Sequence, residues 1–240
     1  MIPLRVEGDD SSLAGANDIS WSDKDARHVL TGHDDGKVRL WDLTAQSKIG
    51  ETNELCIPCV AQLDVTLPNA DNEGSSKRVT RALFLSQYEA DGGGVTPPFI
   101  TGTDMNSTIT LWSGFPAAGS SVGAPSRLRV FGLRNSDAPP PSLSNVMSVE
   151  LIPAPYRPPV AAEAGMGVIA PSSFLLLAER KSGIMHALHL DTEWKEGGDA
   201  EEGGDAVVVK GFDYVSTLNV VHPIYSYCVA PSSKEGDVPR

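Results

Sequence analysis

The chain has 240 residues and a formal net charge of −12, and its 18 prolines and 23 glycines gather into runs between apolar segments. This length allows one or two buried cores, and the glycine and proline runs indicate long insertions. An acidic surface repels phosphate, so direct RNA or DNA binding is disfavoured and a protein partner is favoured.

The amino terminus lacks a basic stretch followed by an apolar one, so no secretory signal is predicted. No apolar run approaches the ~18 residues that cross a bilayer. We therefore expect a cytoplasmic protein in which Cys56, Cys59 and Cys228 are free thiols. A zinc site would need a second pair beside Cys56 and Cys59, so we predict no metal and no cofactor.

The amino-terminal region, residues 1–17, is interpreted as a tail or an outer strand of a preceding sheet, because Ile2 begins a short apolar alternation. Residues 18–22 alternate more cleanly. They predict the first strand of a sheet, with Ile19 and Trp21 on one face.

Residues 29–42 predict a β-hairpin that ends in Trp-Asp. Thr31 lies in its first strand, and Trp41 closes its second. The Asp-Asp-Gly sequence at 34–36 is turn chemistry, since these residues tolerate positive φ. A single hairpin cannot bury its apolar face alone, so a stable fold requires further copies.

The hairpin pattern recurs at residues 100–113, which end near Trp112, and at 175–188, where Leu188 replaces the Trp. Three diverged hairpins with a Trp-Asp signature predict an all-β fold, a partial WD40-type β-propeller of about three blades plus flanking strands. The copies are further apart than the ~40–45 residues of a compact blade, so long loop insertions are expected. An all-β sandwich is the alternative.

The remaining apolar segments complete these sheets. They are 56–60 for the first, 79–85 and 128–131 for the second, 146–152 and 207–221 for the third, and 224–229 for the start of another. We assign residues 18–232 to the partial propeller and 233–240 to a carboxy-terminal tail. Closed propellers hold about four to eight blades, so we interpret the chain as part of a larger ring.

In WD repeats a Trp indole, a Ser or Thr hydroxyl, a turn Asp and a His from the preceding loop share hydrogen bonds. The residues predicted for this network are Thr31, Asp35 and Trp41 in the first hairpin and Thr101, Asn106 and Trp112 in the second. No Gly-His dipeptide precedes either hairpin. His33 lies inside the strand-turn region, so we do not expect it to be the network histidine.

The turns between the second and third strands of each blade would lie around one end of a central channel, where propellers commonly take peptides. The predicted peptide-binding residues are Asp34, Asp35, Asp104, Met105, Lys181 and Ser182. The alternative is that these residues only form turns. No nucleophile elbow or His-Glu-x-x-His motif occurs, and His186 and His189 are predicted on opposite strand faces, so we predict a non-catalytic protein.

Taken in order, the Ile-Ser-Trp strand, the Trp-less hairpin at 174–190 and the Phe-Asp-Tyr to Pro-Ile-Tyr-Ser ending at 212–226 carry a family resemblance. The chain resembles the later blades of the WD domain in Varicose-type enhancer of mRNA decapping scaffolds. This resemblance implies a scaffold in cytoplasmic P-bodies that joins the decapping activator and the decapping enzyme, with self-association through regions absent here. A WD-repeat adaptor of another pathway is the alternative.

Overall fold

The computed structural model describes residues 4–5, 15–22, 26–45, 47–49, 54–65, 78–89, 95–116, 124–133, 148–152, 173–179, 183–195, 206–220, 222 and 224. Within these ranges the chain forms strands, turns and one short 3₁₀ segment, Asp104–Asn106, and contains no α-helix. The all-β prediction is therefore confirmed. None of the described residues belongs to a helix long and apolar enough to cross a membrane.

The first sheet contains six strands. They are β1 (Leu4–Arg5), β2 (Ala16–Trp21), β3 (His28–His33), β4 (Lys37–Asp42), β5 (Ser47–Ile49) and β6 (Glu54–Asp64). Strands β2, β3, β4 and β6 form an antiparallel meander, and β5 pairs with β6. The interpretation of residues 1–17 as part of a preceding sheet is corrected at β1, because Leu4 pairs with Ile57, in parallel, on the outer strand of this sheet.

Two further antiparallel meanders follow. The second sheet consists of β7 (Arg81–Phe84), β8 (Phe99–Thr103), β9 (Thr108–Trp112) and β10 (Arg127–Gly132). The third consists of β11 (Ser148–Ile152), β12 (Phe174–Glu179), β13 (Ile184–Lys195) and β14 (Ala206–Asn219). Three successive meanders in the described residues are compatible with a partial β-propeller, whereas a sandwich has two sheets. We call β2, β7 and β11 the leading strands.

The three sheets share one register. Each anchor residue on the third strand of a meander lies opposite a matching residue on the second strand: Trp41 opposite Val29, Trp112 opposite Phe99, and Leu188 opposite Leu175. The faces that bear Trp112 and Leu188 are directed toward the preceding sheet, because Trp112 packs with residues of the first sheet and Leu188 with residues of the second. The anchors are therefore equivalent positions.

In the part of the chain that the structure describes, two hydrophobic layers lie between the sheets. The layer between the first and second sheets includes Leu30, Val38, Leu40, Ala82, Phe84, Phe99, Trp112 and Phe115. The layer between the second and third sheets includes Ile100, Ile109, Leu111, Val149, Leu175, Leu177, Leu188 and Leu190. Because alternate residues of a strand point to opposite faces, the second sheet contributes to both layers.

Side chains of β2 bond to the free edge of β7. The Asp18 carboxylate accepts a hydrogen bond from the backbone N–H of Ala82 (2.8 Å), and the Ser20 hydroxyl accepts one from the N–H of Phe84 (3.0 Å). Asp18 also pairs with Arg81 at 3.2 Å. An edge strand otherwise leaves these donors to solvent or to another chain, so the contact joins two leading strands without a ladder between them.

Gly102 on β8 lies where a side chain has no room. A Cβ at this position would stand 2.0 Å from Oδ1 of Asn106, and Thr80 donates its hydroxyl hydrogen bond to that same oxygen at 2.7 Å. Gly132 on β10 has no atom within 4 Å of an equivalent Cβ. The two glycines therefore offer a matched comparison.

We expect Gly102→Ala to lower the free energy of unfolding by about 1–3 kcal/mol, because the methyl group displaces Asn106 and its bond to Thr80. Gly132→Ala is the control and should be neutral or slightly stabilising, since alanine lowers the conformational entropy of the unfolded chain relative to glycine. Urea unfolding followed by tryptophan fluorescence measures both changes. Equal stability of the two variants would contradict the proposed steric role of Gly102.

Candidate functional site

In the first hairpin the buried indole of Trp41 is joined to two side chains of β3. Its Nε1–H donates to Oγ1 of Thr31 at 2.7 Å, and Nε2 of His33 lies 2.7 Å from the same oxygen. All three residues are at most 3% exposed. The expectation about His33 was wrong, because alternation along β3 puts His33 on the same face as Thr31, two residues earlier.

The turn aspartate of this hairpin makes different contacts from those predicted. Within the described residues, Asp35 accepts hydrogen bonds from the guanidinium of Arg39 (2.6 Å) and from the backbone N–H of Lys37 (3.1 Å), and not from Trp41 or Thr31. Burial opposes ionisation of Asp35, but these hydrogen bonds and the Arg39 charge outweigh it and hold its pKa below the usual value. Asp35 therefore serves as the counter-ion of a buried arginine.

In the second hairpin, Nε1–H of Trp112 donates to Oγ1 of Thr101 at 2.9 Å. Trp112 is 6% exposed and its ring is stacked with Phe99 at 6.3 Å between centroids. Asn106, predicted for the same network, accepts the hydroxyl hydrogen bond of Thr80. This bond ties the turn to the segment that enters β7.

The third hairpin has a purely apolar version of the same site. Leu188 and Leu177 occupy the places of the Trp and the Thr, and both are fully buried in the layer against the second sheet. An apolar pair needs no hydrogen bond, so the loss of the indole and the loss of the hydroxyl compensate each other. Lys181 and Ser182, predicted for the turn, lie outside the described residues.

The first turn carries the partly exposed carboxylate of Asp34, which we call the acidic rim. Asp34, whose side chain is 38% exposed, pairs with Arg78 at 2.6 Å and accepts a hydrogen bond from Nδ2 of Asn17 at 2.8 Å. Nδ2 of Asn17 also donates to the carbonyl oxygen of Val79 at 3.0 Å. The rim therefore joins the first hairpin to the entrance of the second sheet, and it leaves part of the Asp34 carboxylate accessible.

The second turn is closed to a ligand. Asp104, Met105 and Asn106 are 8%, 7% and 3% exposed, so Asp104 and Met105 offer almost no surface to a peptide, contrary to the prediction for them. All three have positive φ, at 49°, 59° and 66°, a conformation that costs non-glycine residues about 1 kcal/mol or more each. Sequence spacing alone shows neither the backbone conformation nor the burial.

The two histidines of β13 have separate partners. Nδ1 of His186 lies 3.0 Å from the Thr217 hydroxyl, and Nδ1 of His189 lies 2.7 Å from the Asp213 carboxylate. His189 also stacks on Tyr214, with ring centroids 4.6 Å apart. No group of three or more potential metal ligands comes together in the part of the chain that the structure describes.

Cys56 is buried and Cys59 half-buried, and both are free thiols. Burial raises the pKa of the Cys59 thiol, and the nearby Arg39 charge only partly opposes this effect. A redox-active Cys-x-x-C motif requires a lowered thiol pKa. The chemistry at Cys59 is therefore that of a structural cysteine.

Asp42, the acidic residue of the Trp-Asp pair, lies at the other end of the hairpin. Its carboxylate accepts hydrogen bonds from Nε of Arg27 (2.9 Å) and from the backbone N–H of Thr44 (2.9 Å). The Arg27 hydrogen bonds, with a further contribution from Thr44, hold the pKa of Asp42 well below its usual range although burial opposes this. The ionised form is therefore built into the folded state.

No protein-family model matches this chain, and a comparison with curated proteins finds no match.

We expect Trp41→Ala to lower the free energy of unfolding by about 3–5 kcal/mol, because it removes a large buried side chain. Trp41→Phe should cost less, roughly 1–3 kcal/mol, since it keeps the ring but loses the bond to Thr31. Trp21→Ala is the matched control, because this Trp is 50% exposed; its effect should be within about 0.5 kcal/mol. A loss below about 1 kcal/mol for Trp41→Ala in urea unfolding would contradict the assignment.

The lowered pKa of Asp42 predicts a pH dependence of stability. A group whose pKa is lower in the folded state stabilises the fold above its unfolded pKa, about 3.9, and loses this effect as pH falls. The stability gap between wild type and Asp42→Asn should therefore shrink from about pH 7 to about pH 3. Asp191→Asn, at an exposed position of β13, is the control. A gap for Asp42→Asn that is as large at the lower pH as at the higher one would refute the role of the ionised carboxylate.

Proposed function

We propose that this chain is a non-catalytic protein-interaction platform built as part of a WD40-type β-propeller. The observation that carries the proposal is the equivalence of Trp41, Trp112 and Leu188, which lie at the same register position of their sheets. Trp112 and Leu188 each pack against the preceding sheet. Repeated units that stack face to face are the construction principle of propellers. The Trp-to-Thr hydrogen bonds in two of the three hairpins support the WD40 type.

The platform takes proteins and not nucleic acid. The chain carries a net charge of −12, and the arginines near the first turn are neutralised by ion pairs: Arg39 with Asp35, Arg78 with Asp34, and Arg81 with Asp18. Phosphate binding requires uncompensated Lys or Arg. The accessible part of Asp34 instead suits a basic or hydrogen-bond-donating peptide.

We further propose that the bound proteins are the decapping activator and the decapping enzyme in cytoplasmic P-bodies. This part of the proposal is supported by the sequence resemblance to Varicose-type decapping scaffolds, above all by the Trp-less hairpin. That hairpin forms the centre of the third sheet, in which Leu175 and Leu188 pair across β12 and β13.

Affinity purification of the tagged chain from cells tests this function. Decapping activator and decapping enzyme should co-purify with the wild type and with Asp191→Lys, an exposed acidic position away from the first turn. Asp34→Lys makes the same change of charge at the rim, and it should reduce their recovery at least several-fold because it would repel a basic peptide. Recovery of a different set of proteins would favour an adaptor of another pathway, and equal recovery with both variants would exclude the rim as the binding site.

A further inference from the structure

The outer strands of the described sheets differ in how their edges are protected from pairing with another chain. In the first sheet, β6 is bonded not only by β4 but also by the short strands β1 and β5. In the second sheet, β10 carries the exposed charged residues Arg127 and Arg129, which discourage edge pairing. In the third sheet, β14 is an edge within the described residues, and residues 213–220 at its end have neither kind of protection.

The beginning of β14 is covered by the second sheet, and its end is not. The backbone N–H of Glu89 donates to the carbonyl oxygen of Val207 at 2.9 Å, and a Cβ on Gly211 would lie 3.2 Å from Nε of Arg129. Residues 213–220 are all exposed. Because alternate side chains of a strand point to opposite faces, this part of β14 is open on both faces. We call residues 213–220 the open edge.

The backbone of the open edge has hydrogen-bonding groups directed away from β13. The N–H of Val220 donates to the carbonyl oxygen of Gly183 at 2.7 Å. Residues that bond to the neighbouring strand alternate along an antiparallel strand, and the register between β13 and β14 is unbroken from Val215 to Asn219. The N–H and carbonyl groups of Val215, Thr217 and Asn219 therefore point outward, where an extended peptide can pair with them.

The side chains of the open edge favour an apolar strand that carries one cation. The segment contains no proline or glycine, and Asp213 is its one charged residue. Oδ1 of Asp213 accepts a hydrogen bond from the backbone N–H of Tyr214 at 2.8 Å and lies 2.7 Å from Nδ1 of His189. The Asp213 side chain is 42% exposed and Tyr214 is 50% exposed. A carboxylate beside an exposed aromatic ring attracts a Lys or Arg side chain.

We propose that the open edge binds an extended segment of a partner protein, which pairs with residues 215–219 as an added strand and places a lysine or arginine at Asp213 and Tyr214. An apolar residue four positions from that cation would lie beside Leu218, because Tyr214 and Leu218 are on one face. The chain itself shows this mode of pairing, since Leu4 of β1 pairs with the outer strand β6.

Electrostatics selects a basic partner over a second copy of the chain. Each copy carries a net charge of −12, so two copies repel each other and a basic segment is attracted. The open edge belongs to the third sheet, and the acidic rim at Asp34 belongs to the first hairpin. The proposal is therefore independent of the rim and of the identity of the proteins that bind there.

Selection from a phage-displayed library of random peptides against the full chain tests the proposal. Peptides of about nine residues are long enough to span the open edge at ~3.3 Å per residue. Enriched peptides should alternate apolar residues and carry a Lys or Arg four positions from one of them. Replacing that cation by Glu should weaken binding at least about tenfold in fluorescence anisotropy, because it brings a carboxylate to Asp213. A selection that enriches no such pattern would overturn the proposal.

Backbone methylation of an enriched peptide tests strand addition on the wild-type chain. Methyl groups on every second backbone nitrogen remove the donors along one edge of the peptide and leave its side chains in place. One of the two alternating patterns should weaken binding at least about tenfold, because its donors face β14. The other should change binding by less than about threefold, since its donors face solvent. Equal effects of the two patterns would contradict strand addition.

Thr217→Pro tests the same contact from the side of the chain. It removes an outward N–H at the centre of the open edge, a place where an edge strand tolerates proline, and it should weaken peptide binding at least about tenfold. Thr217→Val is the matched control, because it also loses the hydroxyl that lies 3.0 Å from Nδ1 of His186 but keeps the N–H. It should bind within about threefold of the wild type.

Asp34→Lys at the acidic rim should leave binding of the enriched peptide unchanged, which separates the two sites. Circular dichroism verifies that each variant is folded. Undiminished binding to a folded Thr217→Pro variant would contradict the proposal, and so would loss of binding in Asp34→Lys.

Sedimentation of the chain alone tests the choice of occupant. The wild type should sediment near its monomer mass of 25.4 kDa at micromolar concentration, because the open edge is reserved for a basic segment. A dimer that Thr217→Pro converts to a monomer would show that a second copy covers the open edge and would overturn the proposal.

Discussion

The packing of the described sheets depends on how the backbone N–H groups at the edge of a sheet find hydrogen-bond acceptors without a neighbouring strand. The β7 edge directs the N–H groups of Ala82 and Phe84 toward β2, where Asp18 and Ser20 accept them. Because a short side chain replaces a backbone partner, the two sheets meet face to face and do not merge into one. This contact sets the distance at which the apolar layer beneath it packs, and it also brings Asn17 and Asp34 to the entrance of the second sheet.

The second sheet is buried on both faces as a result of this packing between sheets. Phe99 and Trp112 on one face are buried against the first sheet, and Ile100 and Leu111 on the other are buried against the third. A strand buried on both faces cannot alternate apolar with charged residues, so its polar side chains must find partners inside. Thr101 does so by accepting the indole N–H of Trp112. A Thr at this place is therefore both buried and satisfied, which is the condition for polar residues in a core.

The two ends of this arc are unlike each other. The first sheet ends in exposed Ile19 and Trp21, and the third ends in a face with Glu150 and Tyr214. The acidic rim at Asp34 lies on the turn side of the first hairpin, where Arg78 pairs with Asp34 and Asn17 of β2 donates a hydrogen bond to it.

The sequence by itself determined the strands, their alternation and the three equivalent hairpins, because period-two patterns and turn residues are local properties. It also led to the Trp-to-Thr pairs, whose members lie on neighbouring strands of one hairpin. Only the tertiary structure decided the contacts between sheets: that Asp18 bonds to β7, that Asp35 serves Arg39, and that Met105 is buried. The spacing along β3 already placed His33 beside Thr31, yet its role depended on a ring orientation that spacing does not specify. The physical reason is that such contacts join residues far apart in the chain, or depend on side-chain and backbone angles, and neither leaves a periodic signal in the sequence.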